Sequence, residues 1–151
     1  MTKRGVQPDG VFDAAEYGFS QGVLVDGVLY VSGQVSMADG LAAQVAEAWA
    51  SVVAVVEAAG GTVADIAKLT VFTRSDEAWG HLQPLVTAAI DPPYPAATMV
   101  TVVGLANPEF LVEIEAIAVI AFPGHATSSP RSRWTLPRWR SVARVRERVR
   151  P

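Results

Sequence analysis

The chain has 151 residues, half of them hydrophobic, a formal net charge of −3 and no cysteine. That length and apolar content fit one domain with a real core. The missing cysteine excludes disulfides, thiol nucleophiles and thiolate-held metal, and it fits a reducing, cytoplasmic setting.

Two histidines, His81 and His125, exclude a histidine-rich metal centre, and no metal or organic cofactor motif is visible. No run of 18 or more apolar residues occurs, so no membrane-spanning helix is expected. The first residues lack the apolar core of a signal peptide. The charge is unevenly divided. Residues 1–121 hold four basic residues against fourteen of the fifteen acids, about −10 in all, whereas 122–151 hold eight arginines against Glu147 alone, about +7. An acidic domain, 1–121, is followed by a basic tail, 122–151.

Residues 1–16 read as a loop. A hairpin follows, with apolar stretches flanking Asp26-Gly27, a pair that favours a tight turn with positive φ, and ending in Tyr30–Gln34 (Y-V-S-G-Q). From about Leu41 to Ala59, Val45, Trp49, Val52, Val53 and Val56 recur at helical spacing, and Gly60-Gly61 stops the helix. Residues 65–68 read as a short turn and Leu69–Thr73 as a buried strand. A second helix runs from Ala78 to about Ile90, with Pro84 expected in its first turn or at a kink. Thr98–Val103 and Leu111–Ile120 are the last strands, joined by the loop 104–110. The order is ββαβαββ. No internal repeat or phosphate-cradling glycine loop is present.

Val112–Val119 (V-E-I-E-A-I-A-V) carries the clearest chemical signal. Alternation in a strand sends Glu113 and Glu115 to one face and Ile114, Ala116 and Ala118 to the other. A carboxylate in so apolar a strand needs a partner, a wet cleft or a subunit boundary. Ser32 has no recognisable base beside it and reads as a turn residue rather than a nucleophile. His81 reads as a surface residue, and Trp49 and Trp79 as packing residues.

Tyr30–Gln34, the helix ending in Gly60-Gly61, Thr70–Phe72 (T-V-F), Tyr94–Thr98 (Y-P-A-A-T) and Val112–Val119 together resemble the RidA/YjgF family of reactive intermediate deaminases over about 19–119. The resemblance implies an α+β fold similar to chorismate mutase: a mixed sheet with two helices on one face, assembled as a homotrimeric barrel with clefts between subunits. It also implies a small-molecule site for hydrolysis of 2-imino or 2-enamino acids. In the family, a glutamate matching Glu113 positions water, and backbone at Ser32 and Gly33 helps hold the ligand. An arginine grips the substrate carboxylate.

Here that arginine is replaced by Ala97, the family's tyrosine by Phe19, and Gln83 sits about where asparagine is common. Losing a bidentate arginine contact costs about 3–5 kcal/mol, so standard 2-imino-acid deamination is expected to be weak or absent. Phe19, Ala97, Met99 and Glu113 suggest a more apolar pocket for an uncharged or bulkier ligand. The remaining domain cations, Lys3, Arg4, Lys68 and Arg74, and the tail arginines are the candidates to replace the lost arginine.

Two readings follow. One is a hydrolase-like enzyme acting on a substrate without a carboxylate. The other is a non-catalytic, metabolite-binding or regulatory trimer. Some family members are called endoribonucleases, but the acidic domain argues against RNA, for which only the tail supplies cations. From Pro137 onward, Trp139, Val142, Val145 and Val149 have the spacing of one apolar stripe on a short helix, and the tail reads as a solvated extension or an arm for an acidic surface.

Overall fold

Residues 1–121 are described by the computed structural model, and the predicted basic tail lies outside the described residues. Six strands form one sheet: β1 (Lys3–Val6), β2 (Gly22–Val25), β3 (Val28–Gln34), β4 (Ile66–Thr73), β5 (Ala96–Thr101) and β6 (Val112–Val119). Their order across the sheet is β1-β2-β3-β6-β4-β5. Only β4 and β5 run parallel, joined through helix α2 (Ala78–Ala89); all other neighbours are antiparallel. Helix α1 (Leu41–Ala58) connects β3 to β4. The architecture is the expected α+β mixed sheet with two helices.

Local chemistry explains the joints. Asp26 (φ 46°) and Gly27 (φ 89°) make the two-residue hairpin between β2 and β3. Gly60 takes φ 94° after α1, its N–H bonding the Glu57 carbonyl at 2.9 Å while Gly61 N–H bonds Val56 at 3.0 Å. These two bonds close the helix in a Schellman turn. Thr62 and Asp65 then cap a single 3-10 turn, with Thr62 N–H donating to Asp65 Oδ2 at 2.7 Å.

Core-facing residues of β3, β4 and β6 meet the apolar stripes of α1 and α2. Leu29, Leu69, Val71, Ile114 and Ala118 from the sheet are fully buried with Val45, Val52, Val55, Val56 and Leu82 from the helices. Each fully buried valine or leucine contributes about 1.5–3 kcal/mol relative to exposure. Helix α1 has the length and hydropathy of a membrane span, but Val45, Ala48, Trp49, Val52, Val55 and Val56 are taken up by this core.

Three local expectations are corrected. Lys3–Val6 lies in the segment read as a loop, yet it pairs antiparallel with β2. Its sequence has no alternation to announce it; pairing along β2 orders it, and only Val6 is buried. Residues 66–68 belong to β4 rather than to a turn, because the 3-10 turn ends at Asp65. The fifth strand spans Ala96–Thr101, two residues earlier than expected, in register with β4 from Lys68↔Ala96 to Thr73↔Thr101. Of the two placements expected for Pro84, the first turn is excluded: it lies past that turn of α2, where its missing N–H withholds one helical hydrogen bond.

A bulge in β3 matters most for the site. Val31 pairs with Ala116 and Gln34 with Ile114, so Ser32 and Gly33 together oppose Glu115. The extra residue reverses the strand's facing. Leu29, Val31 and then Gln34 are buried, so Gln34 points coreward where strict alternation would have placed Gly33.

Candidate functional site

Alternation along β6 holds as read from the sequence. Val112, Ile114, Ala116 and Ala118 are buried under the helices, and Glu113, Glu115, Ile117 and Val119 face the other side. Phe72 of β4 is level with Glu113 on that open side. The side chain of Glu113 lies directly over the bulge glycine. A Cβ placed on Gly33 would be 2.8 Å from Glu113 Cγ, 2.5 Å from Cδ, and closer still to the carboxylate. Glycine at this position is what gives the glutamate its seat.

Glu113 borders an open cavity of about 720 Å³. One wall is the N-terminal segment with Phe12, Tyr17 and Phe19, the second is the end of β3 and its exit through Met37, and the third is the loop with Asn107 and Phe110. The rings of Phe12 and Tyr17 pack 5.3 Å apart at 53°. Phe12, Tyr17, Phe19 and Met37 are all exposed in the single chain.

Buried polar bonds hold these walls in place. Gln34 Nε2 donates to Gln21 Oε1 at 2.7 Å, and Gln21 Nε2 donates to the Phe12 carbonyl at 2.6 Å, fastening the N-terminal segment to the sheet. Gln44, buried on α1, donates to the Glu109 carbonyl at 3.0 Å and accepts from Leu111 N–H at 2.8 Å. It thereby fixes the loop that carries Asn107 and Phe110.

The carboxyl of Glu113 is held above its ordinary value, first by burial and second by the neighbouring negative charge of Glu115. Among the described residues, no cation lines the cavity. Arg4 donates to the Ala59 carbonyl, Lys68 to the Leu69 carbonyl and Thr98 Oγ1, and Arg74 to the Pro108 carbonyl. Among the described residues, no cluster of three potential metal ligands occurs.

Of the site residues expected from sequence, the structure brings Glu113, Gly33 and Phe19 to one cavity. Ser32 lies beside it in the bulge, with its hydroxyl donating to the Ser20 carbonyl at 2.7 Å. Gln83 is exposed on α2. Ala97 and Met99 are level with the buried Leu69 and Val71, hence on the helix side of the sheet, two strands away from Glu113 and on the opposite face. Within one chain these three do not converge on the carboxylate. Phe12, Tyr17, Asn107, Phe110 and the two glutamines were missed. The only sequence signal for them was aromatic residues crowded ahead of the first predicted strand, which carry no periodicity of their own.

The family model described as Endoribonuclease L-PSP matches residues 12–120. A 2-iminobutanoate/2-iminopropanoate deaminase of Dermatophagoides farinae is 30% identical over 110 residues, covering 68% of this chain and 85% of the relative. The structure of the YjgF gene product of E. coli superposes with a TM-score of 0.69 at 30% identity, covering 77% of this chain and 98% of that one. E. coli TdcF with bound serine is similar at a TM-score of 0.66 and 25% identity, over 78% of this chain and 99% of that one.

Proposed function

The chain belongs to the endoribonuclease L-PSP (RidA/YjgF) family, and from that premise we propose that it is a deaminase-like hydrolase of imines or enamines that carry no carboxylate. The observation that carries this reading is Glu113: a carboxylate raised above its ordinary value, seated over Gly33 at the edge of an aromatic cavity. A carboxyl tuned toward neutrality can both take and return a proton.

In the proposed reaction Glu113 accepts a proton from water as its oxygen adds to the carbon of a protonated imine. The C=N electron pair moves to nitrogen, giving the neutral carbinolamine. The protonated carboxyl then gives its proton to that nitrogen. The C–N bond breaks, ammonia leaves, and the remaining oxygen-bound proton passes to it. The balance is one iminium ion plus water to one aldehyde or ketone plus ammonium, with Glu113 returned to its starting state.

The relative named as a 2-iminobutanoate/2-iminopropanoate deaminase supports the reaction class, and TdcF with bound serine supports a small-molecule ligand. Ala97 supports the change of substrate, since alanine cannot grip a carboxylate. We read the functional unit as a homotrimer in the cytoplasm. Tyr30, Val100 and Val119 leave the sheet face opposite the helices apolar and exposed, which fits burial against copies of the chain. A neighbouring copy could then bring its Ala97 edge toward this chain's Glu113. RNA is not the proposed substrate, because none of the four domain cations lines the cavity and three of them bond backbone carbonyl oxygens.

A non-catalytic, metabolite-binding trimer is the second reading, favoured by the replacement of the family arginine and tyrosine by Ala97 and Phe19. Ammonia release separates the two. The wild type should release ammonia from carboxylate-free, N-unsubstituted imines generated in situ and leave 2-iminopropanoate nearly untouched, while Ala97→Arg gains the latter. Vigorous 2-iminopropanoate turnover by the wild type refutes the reading of Ala97. Saturable binding without any turnover establishes the second reading.

A further inference from the structure

We propose that the cavity beside Glu113 selects an organic cation: a ligand with a positively charged nitrogen on an apolar body and no anionic group. The inference rests on the reading of this cavity as the ligand site and sharpens its substrate class.

The first argument is charge. Among the described residues lining the cavity, Glu113 is the only carboxylate, and no lysine, arginine or histidine joins it. Among the described residues, its carboxylate carries no hydrogen bond, and since no buried polar side-chain atom lacks a partner, its oxygens are open to the cavity. The charged group of this site is therefore the one left for a ligand to satisfy. Asp9, Asp13 and Glu16 are exposed on the same N-terminal segment that supplies Phe12 and Tyr17. They add a negative field at the rim, which attracts cations and repels anions.

The second argument is shape and polarisability. Phe12, Tyr17, Phe19 and Phe110 present aromatic rings to the same space that the carboxylate borders. The faces of such rings carry negative charge density and hold ammonium, iminium and guanidinium groups better than neutral isosteres. Three of the rings are exposed together, and clustered apolar surface of this kind marks a binding site. An anionic ligand would lie against Glu113 with no cation among the described lining residues to offset the repulsion. A neutral ligand would leave the carboxylate half-desolvated and unpaired. A cation resolves both.

Titration of the intact full-length protein with three non-hydrolysable probes of one shape tests this: benzylammonium, benzyl alcohol and benzoate, followed by ligand-observed NMR at neutral pH. Benzylammonium is expected to bind about tenfold or more tightly than benzyl alcohol, with benzoate weakest. Glu113→Gln should reduce the cation preference to about two- to threefold, chiefly by weakening benzylammonium. Phe19→Leu, which leaves the carboxylate in place, should weaken the two aromatic probes that bind. Benzoate binding as tight as benzylammonium, a cation preference that survives Glu113→Gln, or no binding of any probe overturns the proposal. Because no probe reacts, this result is independent of catalysis. Imine turnover without cation preference overturns the substrate class alone, and cation preference without turnover overturns the hydrolase alone.

Discussion

Gly33→Ala tests the seat of Glu113 directly. The φ of Gly33 is not in the left-handed region, so alanine fits the backbone, and by restricting the unfolded chain it would by itself stabilise by about 0.4–1 kcal/mol. The three atoms nearest the added methyl all belong to Glu113. The methyl would lie 2.8 Å from Cγ, where ordinary contact begins at 3.4 Å, and nearer to the carboxylate. The whole glutamate must therefore leave its rotamer, since moving the tip does not free Cγ. Overpacking of this kind costs about 1–3 kcal/mol.

The cost should vanish in a Glu113→Ala background, which removes the clashing atoms and keeps the strand. There the unfolded-state term remains and Gly33→Ala becomes neutral to stabilising. A double-mutant cycle by urea unfolding, followed by far-UV circular dichroism at one fixed protein concentration, should give a coupling of about 1–3 kcal/mol. In the wild-type background the displaced carboxylate should also lose a charge-assisted contact with ligand, about 1.5–3 kcal/mol, or roughly ten- to a hundredfold in affinity. An equal cost of Gly33→Ala in both backgrounds, within about 0.5 kcal/mol, would mean that Glu113 does not rest on this glycine.

Glu113→Gln should raise stability at neutral pH and approach the wild type in acid. Because the folded carboxyl sits above its ordinary value, its favourable term is full below the unfolded pKa and is lost as pH rises through the folded one. Urea midpoints of wild type and variant should therefore separate as pH rises through the upper carboxylate range; parallel curves would show that burial does not tax this group. Tyr30→Arg on the open sheet face should lower a solution mass of about three times 16.0 kDa toward that of one chain, as read by light scattering. A wild type that is already monomeric, or a variant that stays trimeric, refutes the placement of the interface.

Much of the fold was legible because its signals are local. Period-two alternation in Val112–Val119, the Asp26-Gly27 turn and the valine stripe of α1 each depend on neighbours a few residues apart, and each appears where it was read. The choice of Glu113 followed from the same alternation. Lys3–Val6 was illegible because an edge strand is ordered by its partner's open hydrogen-bonding groups rather than by its own side chains.

Tertiary structure alone decided the site. The bulge at Ser32-Gly33 shifts the phase of β3 by one residue, which no pattern within the strand encodes, and this brings a residue without a side chain beneath Glu113. Pairing of β6 between β3 and β4 then sets Glu113 and Ala97 two strands apart on opposite faces, although both lie in strands read from sequence. The aromatic wall exists because Gln21 and Gln34, thirteen residues apart, tie the N-terminal segment across the strand ends. Periodicity records which way a side chain faces its own strand; which strand lies next to it depends on hydrogen bonds between segments far apart in the chain.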